Sequence, residues 1–335
     1  MLDIVQGGVA LLDRAVPSLR AAETRAAGSK FTALWGIAPA GPAHFGLDSI
    51  LATLRKLDVR GWQLTILSAD LHLTLSHGLQ LDNAIQRAAY YRAYLADCCG
   101  LRARFVNGSD LQTRSDYLLA MLEACRAVSL NKAKASLPSR SRSDSGVSAT
   151  VASVLYPVMQ CVDVLALAPR AIVADQGQIK IYSLLGSAMS GERRRGGASP
   201  RMLVVPTGVD IRGMPLNEST RDTRIHLEDT RESLARKVKA MYAPPANQAP
   251  VPGRANALLW YFRYSVFPWI TMPLRVKARG TAEYVYRDAA SFEHAYLSST
   301  IHPLDAKEAL ERELWKRIAQ AKERIAPELR SWIRK

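Results

Sequence analysis

The feature of this sequence that most limits its fold is a regular alternation of apolar patterns between residues 31 and 110. Short, continuous apolar runs predict buried strands, and runs whose apolar residues recur every three or four positions predict helices. Strands are predicted at 31–41, 62–72 and 102–110, and helices between them at 44–57 and 80–99. Strands joined by crossover helices at this spacing form parallel sheets. The sequence therefore predicts an α/β fold with a Rossmann-type parallel sheet.

Each predicted strand ends in a short polar segment. These segments cover residues 38–44, 70–72 and 108–112. In open parallel sheets, ligands bind beyond the carboxyl ends of the strands. The three segments are therefore predicted to face one ligand-binding crevice.

The rest of the chain divides into segments of different composition. Its 335 residues are enough for one large domain and a smaller one. Apolar residues at helical spacing predict an N-terminal helix within residues 1–30, and a stretch rich in Pro and Ala at 243–256 predicts a connector. We therefore expect the Rossmann-type domain over residues 31–242. An all-helical C-terminal domain is expected over 257–335, with a long last helix from about Pro303 to Arg334.

The chain carries a strong positive charge. It has 45 Lys and Arg residues against 30 Asp and Glu residues, which gives a formal net charge of +15. An excess of this size is typical of proteins that bind a polyanion, and RNA is the favoured partner. Arg193, Arg194 and Arg195, flanked by glycine, are candidate contacts with a phosphate backbone. A solvated basic surface loop is the alternative interpretation.

Cysteine content and hydropathy argue against several other classes of protein. The four cysteines form no CxxC pair, so neither a zinc ribbon nor a secreted disulfide scaffold is expected, and no metal site is predicted. The sequence has no membrane-spanning apolar run, and its N-terminus lacks the basic start of a signal peptide. We expect a cytoplasmic protein in a reducing compartment, without a membrane partner.

A series of motifs, in order along the chain, resembles one family. The stretch from Pro39 to Leu47 is similar to the HIGH signature of class I aminoacyl-tRNA synthetases. Tyr156, Pro157, Gln160 and Asp163 have the spacing Tyr-Pro-x-x-Gln-x-x-Asp. The other matching segments are SADLH at 68–72, NGSDLQ at 107–112, DQGQIKI at 175–181, RIHLED at 224–229 and IHPLDAKEAL at 301–310. Together they resemble the tyrosyl-tRNA synthetases of the archaeal and eukaryotic type.

The resemblance implies a binding site for an amino acid. Tyr156, Gln160 and Gln178 are expected to bind the α-ammonium group, which needs several acceptors converging in a small pocket. Tyr156 and Gln160 lie four residues apart and therefore share one helix face. In the family, the aspartate at the position of Asp163 holds the phenol hydroxyl of tyrosine. The other residues expected to line the pocket are Leu34, His72 and Gln112.

The resemblance also implies an ATP site, with Mg²⁺ as the counter-ion of ATP, and a homodimer that binds tRNA. The residues expected at the ATP site are Gly36, Pro39, Gly41, His44 and Gly46. His44 begins a predicted helix, where backbone N–H groups favour anions, and Gly46 lets the backbone approach the triphosphate closely. His44 is therefore the first candidate catalytic residue.

Three departures from the family pattern modify these expectations. Leu47 replaces the second histidine of the HIGH signature, and the KMSKS loop, which falls within residues 208–221, contains no lysine. Arg212 and Arg221 are the candidate catalytic cations in its place, although a guanidinium is not equivalent to a mobile ammonium group. Leu34 stands where the family has a tyrosine that shares the substrate hydroxyl. Tyrosine, a modified tyrosine and another amino acid with a polar tip therefore all stay open as substrates.

The favoured function is that of a tyrosyl-tRNA synthetase paralogue. Such an enzyme binds an amino acid and ATP, forms an aminoacyl adenylate and transfers the acyl group to tRNA or another acceptor. Two alternatives stay open, namely an ATP-independent enzyme that forms an amide from aminoacyl-tRNA and a non-catalytic protein that binds RNA or an amino acid. The changed ATP motifs favour the alternatives, whereas the intact motif from Tyr156 to Asp163 favours an amino-acid ligand.

Overall fold

The chain folds into two compact units. The computed structural model describes residues 4–6, 31–137, 150–188, 199–216, 222–245, 248, 251–278 and 282–333. The first unit comprises residues 1–41, 53–206 and 328–335, and the second comprises residues 42–52 and 207–327. The HIGH-like residues that follow Gly41 therefore belong to a different unit from the strand that precedes them.

The first unit is built on a parallel sheet. The strands are β1 (Ile4–Gln6), β2 (Thr32–Ile37), β3 (Gln63–Ser68), β4 (Ala103–Asn107), β5 (Ala171–Asp175) and β6 (Arg201–Val205). Within the described residues they pair in the order β1-β6-β5-β2-β3-β4, and each pair is parallel. Ser68, at the end of β3, is in register with Ile37 on one side and Asn107 on the other. The carboxyl ends of these three strands therefore lie side by side, as the sequence predicts.

The strands are apolar because a parallel sheet is covered on both faces. Leu34, Ile66 and Ile172 are each at most 1% exposed. Leu34 and Ile172 belong to one apolar cluster that also contains Val162, from a long helix described below. This cluster fixes the position of that helix against the sheet.

Helices connect the strands and carry the functional side chains. They are α1 (Asp48–Val59), α2 (Asp70–His77), α3 (Leu81–Ala93), α4 (Gly108–Gln112), α5 (Ser115–Ala127), α6 (Leu130–Ser136), α7 (Val151–Leu167), α8 (Ile179–Tyr182) and α9 (Leu185–Ala188). A π-helical segment, Tyr94–Cys98, extends α3, and a 3₁₀ turn, Gln176–Gln178, precedes α8. The hydroxyl of Thr150 accepts a hydrogen bond from the backbone N–H of Ser153 and caps α7 at 3.2 Å.

The second unit is mainly helical. It contains a 3₁₀ turn (Phe45–Leu47), α10 (Arg231–Lys239), α11 (Ala257–Tyr261), a π-helical segment (Phe262–Val266), a hairpin of β7 (Leu274–Lys277) and β8 (Glu283–Tyr286), α12 (Ala289–Leu297) and α13 (Pro303–Arg324). The rings of Phe262 and Phe292 lie 4.0 Å apart in its core. Arg317 of α13 donates to the buried carboxylate of Asp48 at 2.6 Å and lies over the ring of Trp269 at 4.0 Å. This ion pair anchors the start of α1.

The Rossmann-type sheet and the C-terminal helices are confirmed, and two elements differ from expectation. The predicted N-terminal helix is wrong at Ile4–Gln6, which pair with β6, while the rest of residues 1–30 lies outside the described residues. So short a segment becomes a strand because it pairs with the edge of the sheet. The periodicity of its own residues does not predict that pairing. The sequence also did not predict the hairpin, although Leu274 and Val276 are buried and alternate with exposed residues.

The last helix and the unit boundary also differ from the sequence-based expectation. The helix predicted from Pro303 to Arg334 ends at Arg324, and a further helix, α14 (Pro327–Trp332), follows. Pro327 has no backbone N–H and so cannot continue the preceding helix. The units divide after Pro206 rather than at 243–256. None of the helices in the described ranges is long and apolar enough to cross a membrane.

Candidate active site

The tips of β3 and β4 meet in the first unit through Asp70. This fully buried carboxylate accepts hydrogen bonds from the backbone N–H of Ser109 at 2.7 Å and from its hydroxyl at 2.6 Å. A Cβ on Gly108 would lie 2.8 Å from the Asp70 carboxylate and 2.9 Å from Gln112 Oε1, so a glycine is required there. Asp70 therefore fixes α2 and α4 side by side, as expected of two strand tips facing one crevice.

A buried polar network joins α2, α4, α5 and α7 around Asp163. The Asp163 carboxylate accepts hydrogen bonds from Gln112 Nε2 at 2.8 Å and from the Tyr117 hydroxyl at 2.8 Å. His72 Nε2 lies 3.2 Å from Gln112 Nε2 and 3.5 Å from Asp163. Gln112 Oε1 is buried and has no hydrogen-bond partner among the described residues. The network thus brings together His72, Gln112 and Asp163, all predicted from the sequence.

Burial determines the protonation states in this network. It raises the pKa of the Asp163 carboxyl to about 7, against the opposing effect of the hydrogen bonds from Gln112 and Tyr117. Burial also lowers the pKa of His72 to about 4, so the imidazole is neutral at pH 7. The short distance between His72 and Asp163 is therefore not an ion pair at that pH. A half-ionised carboxylate among neutral partners can accept a hydrogen bond from a buried ligand hydroxyl.

A second polar group lies on α7 and α8 of the same unit. Gln160 Nε2 donates to Gln178 Oε1 at 2.9 Å. The hydroxyl of Tyr182 also bonds to Gln160, and burial raises its pKa. The ring of Tyr156 lies edge-on to His72 with centroids 5.2 Å apart, which connects this group to the Asp163 network. The three residues predicted to bind an α-ammonium group thus lie in one cluster with the Asp163 network.

Two further residues shape this part of the unit. Leu34 is 1% exposed and packs in the cluster that contains Tyr117 and Val162, where it offers no hydroxyl to Asp163. Asp175 accepts a hydrogen bond from the backbone N–H of Gly177 at 2.7 Å and lies close enough to Tyr156 to raise its pKa, together with burial, to about 12. Leu34 therefore adds apolar surface beside Tyr117, and Asp175 places a carboxyl group near Tyr156.

The segment after β2 is held by α3. The carbonyl of Ala40 accepts a hydrogen bond from Arg87 at 2.8 Å, and the carbonyl of Gly41 accepts one from the Tyr91 hydroxyl at 3.0 Å. Pro39 is buried, and Gly36 is exposed with open space on its Cβ side. Pro39 and Gly41 thus lie in a segment held by α3, and Gly36, within β2, has open space on its Cβ side.

In the second unit, His44 stands immediately before the 3₁₀ turn Phe45–Leu47. Its side chain does not cap that turn, and its Nδ1 is buried without a hydrogen-bond partner in the described part of the chain. Burial and the nearby positive groups of Arg224 and His226 hold the pKa of His44 well below its ordinary value. The imidazole is therefore neutral at pH 7, with one nitrogen that donates and one that accepts.

Gly46 lies close to both His44 and the loop that follows Thr207. A Cβ on Gly46 would lie 3.0 Å from His44 Nδ1 and would also collide with Leu216. Gly208 packs equally closely against the carbonyl of Gly46. Glycine at position 46 thus lets the Leu216 side chain pack close to the backbone beside His44.

The loop 208–216 is organised by Asp210, which is fully buried. Its carboxylate accepts hydrogen bonds from the backbone N–H groups of Arg212 and Met214, each at 2.9 Å, and from the Thr223 hydroxyl at 2.7 Å. Arg212 Nε donates to the same carboxylate at 2.9 Å, and the arginine side chain is 50% exposed. The Arg212 side chain thus stabilises the loop to which it belongs. Arg221 and the run Arg193–Arg195 lie outside the described residues.

Sequence reasoning missed several residues of these groups. Tyr117 and Tyr182 bond to predicted site residues from other helices, and no local motif marks them. His226 lies opposite His44 in an isolated antiparallel bridge, and only its position in the RIHLED segment gave a signal. Among the described residues, no group of three or more His, Cys, Asp or Glu side chains is arranged to hold a metal ion.

Comparison of the sequence with known proteins gives a consistent result. Residues 26–319 match the family model described as tRNA synthetases class I (W and Y). The chain is 32% identical over 279 residues to a tyrosine–tRNA ligase of Methanoculleus marisnigri, with 82% of this chain and 84% of that protein aligned. It is 30% identical over 301 residues to the tyrosine–tRNA ligase of Archaeoglobus fulgidus, with 87% of each chain aligned.

Comparison of the fold with solved structures agrees. The tyrosyl-tRNA synthetase of Archaeoglobus fulgidus, complexed with L-tyrosine, superposes with a TM-score of 0.80 at 27% identity, covering 93% of this chain and 94% of that one. A tryptophanyl-tRNA synthetase of Aeropyrum pernix has a TM-score of 0.70 at 16% identity, covering 96% and 87%, and supports the fold alone.

Proposed function

Because the chain belongs to the class I aminoacyl-tRNA synthetases of the tryptophanyl and tyrosyl family, we propose that it activates an amino acid with ATP. The substrate is tyrosine or a relative that keeps a hydroxyl at the ring tip. The aminoacyl group then passes to tRNA. The family membership supplies the reaction class, and the side chains of the two units support the substrate and the steps.

The buried acceptor Asp163 is the observation that carries this proposal. Its pKa of about 7 leaves the carboxyl about half ionised at neutral pH, and Gln112 and Tyr117 fix its orientation. A buried carboxylate is costly unless it is hydrogen-bonded, so a ligand hydroxyl that donates to it is favoured over an apolar tip. Gln112 Oε1 offers a second acceptor, which supports ring-hydroxylated relatives of tyrosine as alternative substrates.

The pair Gln160–Gln178 supports binding at the other end of the substrate. In this proposal the α-ammonium group donates hydrogen bonds to the carboxamide oxygens of Gln160 and Gln178 and to the Tyr156 hydroxyl. Asp175 adds a negative charge nearby. A cation surrounded by several acceptors has its desolvation compensated. The ammonium contact orients the substrate carboxylate for reaction.

In the first step of the proposed reaction, a carboxylate oxygen of the amino acid attacks the α-phosphorus of ATP. A new P–O bond forms, the bond from the α-phosphorus to the bridging oxygen breaks, and pyrophosphate leaves with the electron pair. Such transfers are accelerated mainly by positioning and by donors aimed at the developing charge. The neutral imidazole of His44 supplies one such donor in this proposal.

Two features of the second unit fit a phosphate-bearing substrate. Nδ1 of His44 lacks a partner among the described residues, and glycine at position 46 leaves the adjacent space without a Cβ. Arg224 adds positive charge to the same place. Leu216 lies against Gly46, so a ligand that reaches this face displaces the Leu216 side chain. Mg²⁺ enters as the counter-ion of ATP.

In the second step, a hydroxyl of the terminal tRNA ribose attacks the carbonyl carbon of the adenylate. A C–O ester bond forms, the mixed anhydride bond breaks, AMP leaves with the electron pair, and the hydroxyl proton passes to a phosphate oxygen of AMP or to solvent. The net charge of +15 supports tRNA as the acceptor, because phosphate neutralisation by Lys and Arg dominates such binding.

None of the four cysteines forms a disulfide, which agrees with the expected cytoplasmic location.

ATP–pyrophosphate exchange over a panel of amino acids tests the proposal. The panel contains tyrosine, ring-hydroxylated tyrosines, O-methyltyrosine and phenylalanine, and calorimetry with a non-hydrolysable ATP analogue measures nucleotide binding separately. We expect exchange with tyrosine or a hydroxylated relative and little with phenylalanine, which cannot donate to Asp163.

Absence of both exchange and ATP-analogue binding would reject the activating function. The same protein is then incubated with tyrosyl-tRNA and amine acceptors, and mass spectrometry detects any amide formed. Amide formation without ATP would establish the alternative that uses aminoacyl-tRNA as substrate. Absence of amide would leave a non-catalytic binding protein.

The exposed face of α5 supports assembly into a homodimer. Leu118, Leu119 and Leu122 are 51%, 63% and 63% exposed, and Leu118 and Leu122 lie four residues apart on one helix face. Adjacent exposed leucines are unusual on a monomer and mark an interaction surface. We propose that a second copy of the chain covers this face.

A further inference from the structure

His226 is fixed directly opposite His44 within the second unit. The two residues form an isolated antiparallel bridge. The backbone N–H of Phe45 donates to the carbonyl of Ile225 at 3.0 Å, and that of Leu227 donates to the carbonyl of Ala43 at 2.9 Å. These bonds flank the histidine pair on both sides, so the backbone at the two histidines is held at a fixed separation.

A second set of contacts holds His226 from its own segment. Its backbone N–H donates to the Asp229 carboxylate at 2.8 Å. Asp229 is in turn ion-paired with Lys237 of α10 at 2.7 Å, and both of those side chains are largely buried. The position of His226 is therefore determined by a buried ion pair as well as by the bridge to His44.

The two imidazole rings lie at a distance suited to one shared anion. Their centroids are 6.0 Å apart, and their planes are inclined at 88°. Rings at this separation can each donate to an oxygen atom of the same polyphosphate, which carries several such acceptors. Arg224, two residues before His226, adds a guanidinium whose charge acts on His44. Two imidazoles and a guanidinium thus form a compact group of donors.

The sequence lacks one imidazole in this region, since Leu47 stands where the HIGH signature has its second histidine. We propose that His226 is a catalytic residue that donates a hydrogen bond to the triphosphate of ATP, in the place of the histidine that Leu47 replaces. This inference rests on the proposed function. His44 and His226 then act on the same developing negative charge from opposite strands of the bridge.

The test compares His226→Ala with the parent protein in the first two of three measurements, and the third is made on the parent alone. The first is ATP–pyrophosphate exchange with the best amino acid of the panel. The second is calorimetric binding of a non-hydrolysable ATP analogue, and the third is the shift of the His226 imidazole signals in ¹⁵N–¹H NMR spectra when that analogue is added. Loss of one preorganised donor is expected to lower kcat/KM for ATP by about 10²-fold or more. The amino-acid Kd is expected to stay unchanged.

Matched variants separate this role from a structural one. His294→Ala removes an exposed histidine from α12 of the same unit and is expected to match the parent in every assay. Leu47→His in the His226→Ala background restores an imidazole by the alternative route and is expected to recover part of the lost exchange. Circular dichroism melting curves check that each variant is folded.

The outcomes distinguish this inference from the proposed function. A parent that catalyses exchange, together with a His226→Ala variant that exchanges and binds the analogue equally well, would overturn the role of His226 alone. Unmoved His226 signals on saturation with the analogue would do the same. A parent with neither exchange nor analogue binding would overturn both proposals.

Discussion

Replacing Asp163 by asparagine is the sharpest test of the amino-acid site. Asparagine keeps the shape of the side chain and one carbonyl oxygen. That oxygen accepts the hydrogen bonds from Gln112 and Tyr117, which are each 2.8 Å long in the parent protein. The substitution removes the negative charge to which a substrate phenol donates in the proposed function. Hydrogen bonds to charged groups contribute about 1.5–3 kcal/mol, so tyrosine affinity is expected to fall roughly 10- to 150-fold.

The pH dependence of binding gives the same test an internal check. Because burial raises the pKa of Asp163 to about 7, the carboxylate is present above that pH and is lost as the pH falls through it. Between pH 8 and pH 6 the ionised fraction falls by about tenfold, and tyrosine Kd is expected to rise by about the same factor. His72, with a pKa of about 4, stays neutral over this range and does not contribute. In Asp163→Asn the dependence is expected to disappear.

The free energy of unfolding is expected to fall as the pH rises, whereas the affinity for tyrosine is expected to increase. A carboxyl whose pKa is raised on folding binds more protons in the native state, so stability falls as the pH rises between 3.8 and about 7. Over that interval the loss is at most about 4 kcal/mol. Above pH 7, Asp163→Asn is therefore expected to be more stable than the parent in urea unfolding while binding tyrosine less well.

Calorimetric titration with tyrosine at pH 6, 7 and 8 measures the effect, and phenylalanine is the matched ligand without a hydroxyl. Phenylalanine affinity is expected to be nearly independent of pH and nearly unaffected by the substitution. Equal tyrosine affinity in parent and variant at pH 8, or a parent affinity that does not change with pH, would refute the assignment of Asp163 to the substrate hydroxyl.

Three further predictions concern other parts of the molecule. Gln178→Ala removes the acceptor of Gln160 and is expected to weaken amino-acid binding by about 1–3 kcal/mol, measured by calorimetry; unchanged affinity would exclude the proposed ammonium site. Leu122→Asp introduces a charge into the exposed face of α5 and is expected to convert a dimer into a monomer in light scattering, whereas a parent that is already monomeric would contradict the dimer. Neutralising Arg193, Arg194 and Arg195 is expected to reduce the slope of log binding constant against log salt concentration for tRNA. An unchanged slope would show that these arginines do not contact the RNA.

The strand tips illustrate what the sequence predicts well. Apolar runs locate β2, β3 and β4, although each strand ends earlier than predicted and residues 70–72 and 108–110 are helical. Parallel topology then brings the carboxyl ends of the strands to one edge of the sheet. His72 and Gln112 come within 3.2 Å of each other for that reason, although 40 residues separate them. Tyr156 and Gln160 share a helix face by spacing alone. Such residues are predictable because backbone geometry alone places them.

Residues whose position depends on tertiary contacts are not predictable in this way. Tyr117 reaches Asp163 from a neighbouring helix, and nothing in its own segment marks it. The strand Ile4–Gln6 exists because β6 offers an open edge, so a local helical pattern was misleading. Arg212 was predicted as a candidate catalytic cation, and the sequence did not indicate that its Nε pairs with Asp210, which is buried by the rest of its unit.

The two groups of site residues differ in how far they depart from the family pattern, and the difference has a physical basis. In the first unit, Gln112, Tyr117 and Asp163 bond to one another, so removing the polar atoms of any one leaves a buried polar partner unsatisfied at a cost of about 1–3 kcal/mol. In the second unit, the backbone at His44 and His226 is held by backbone hydrogen bonds, which survive a change of side chain. In its proposed role, His226 therefore supplies the donor that Leu47 lacks without any rearrangement of this backbone. Side chains that bond to one another thus constrain substitution more tightly than side chains placed by the backbone alone.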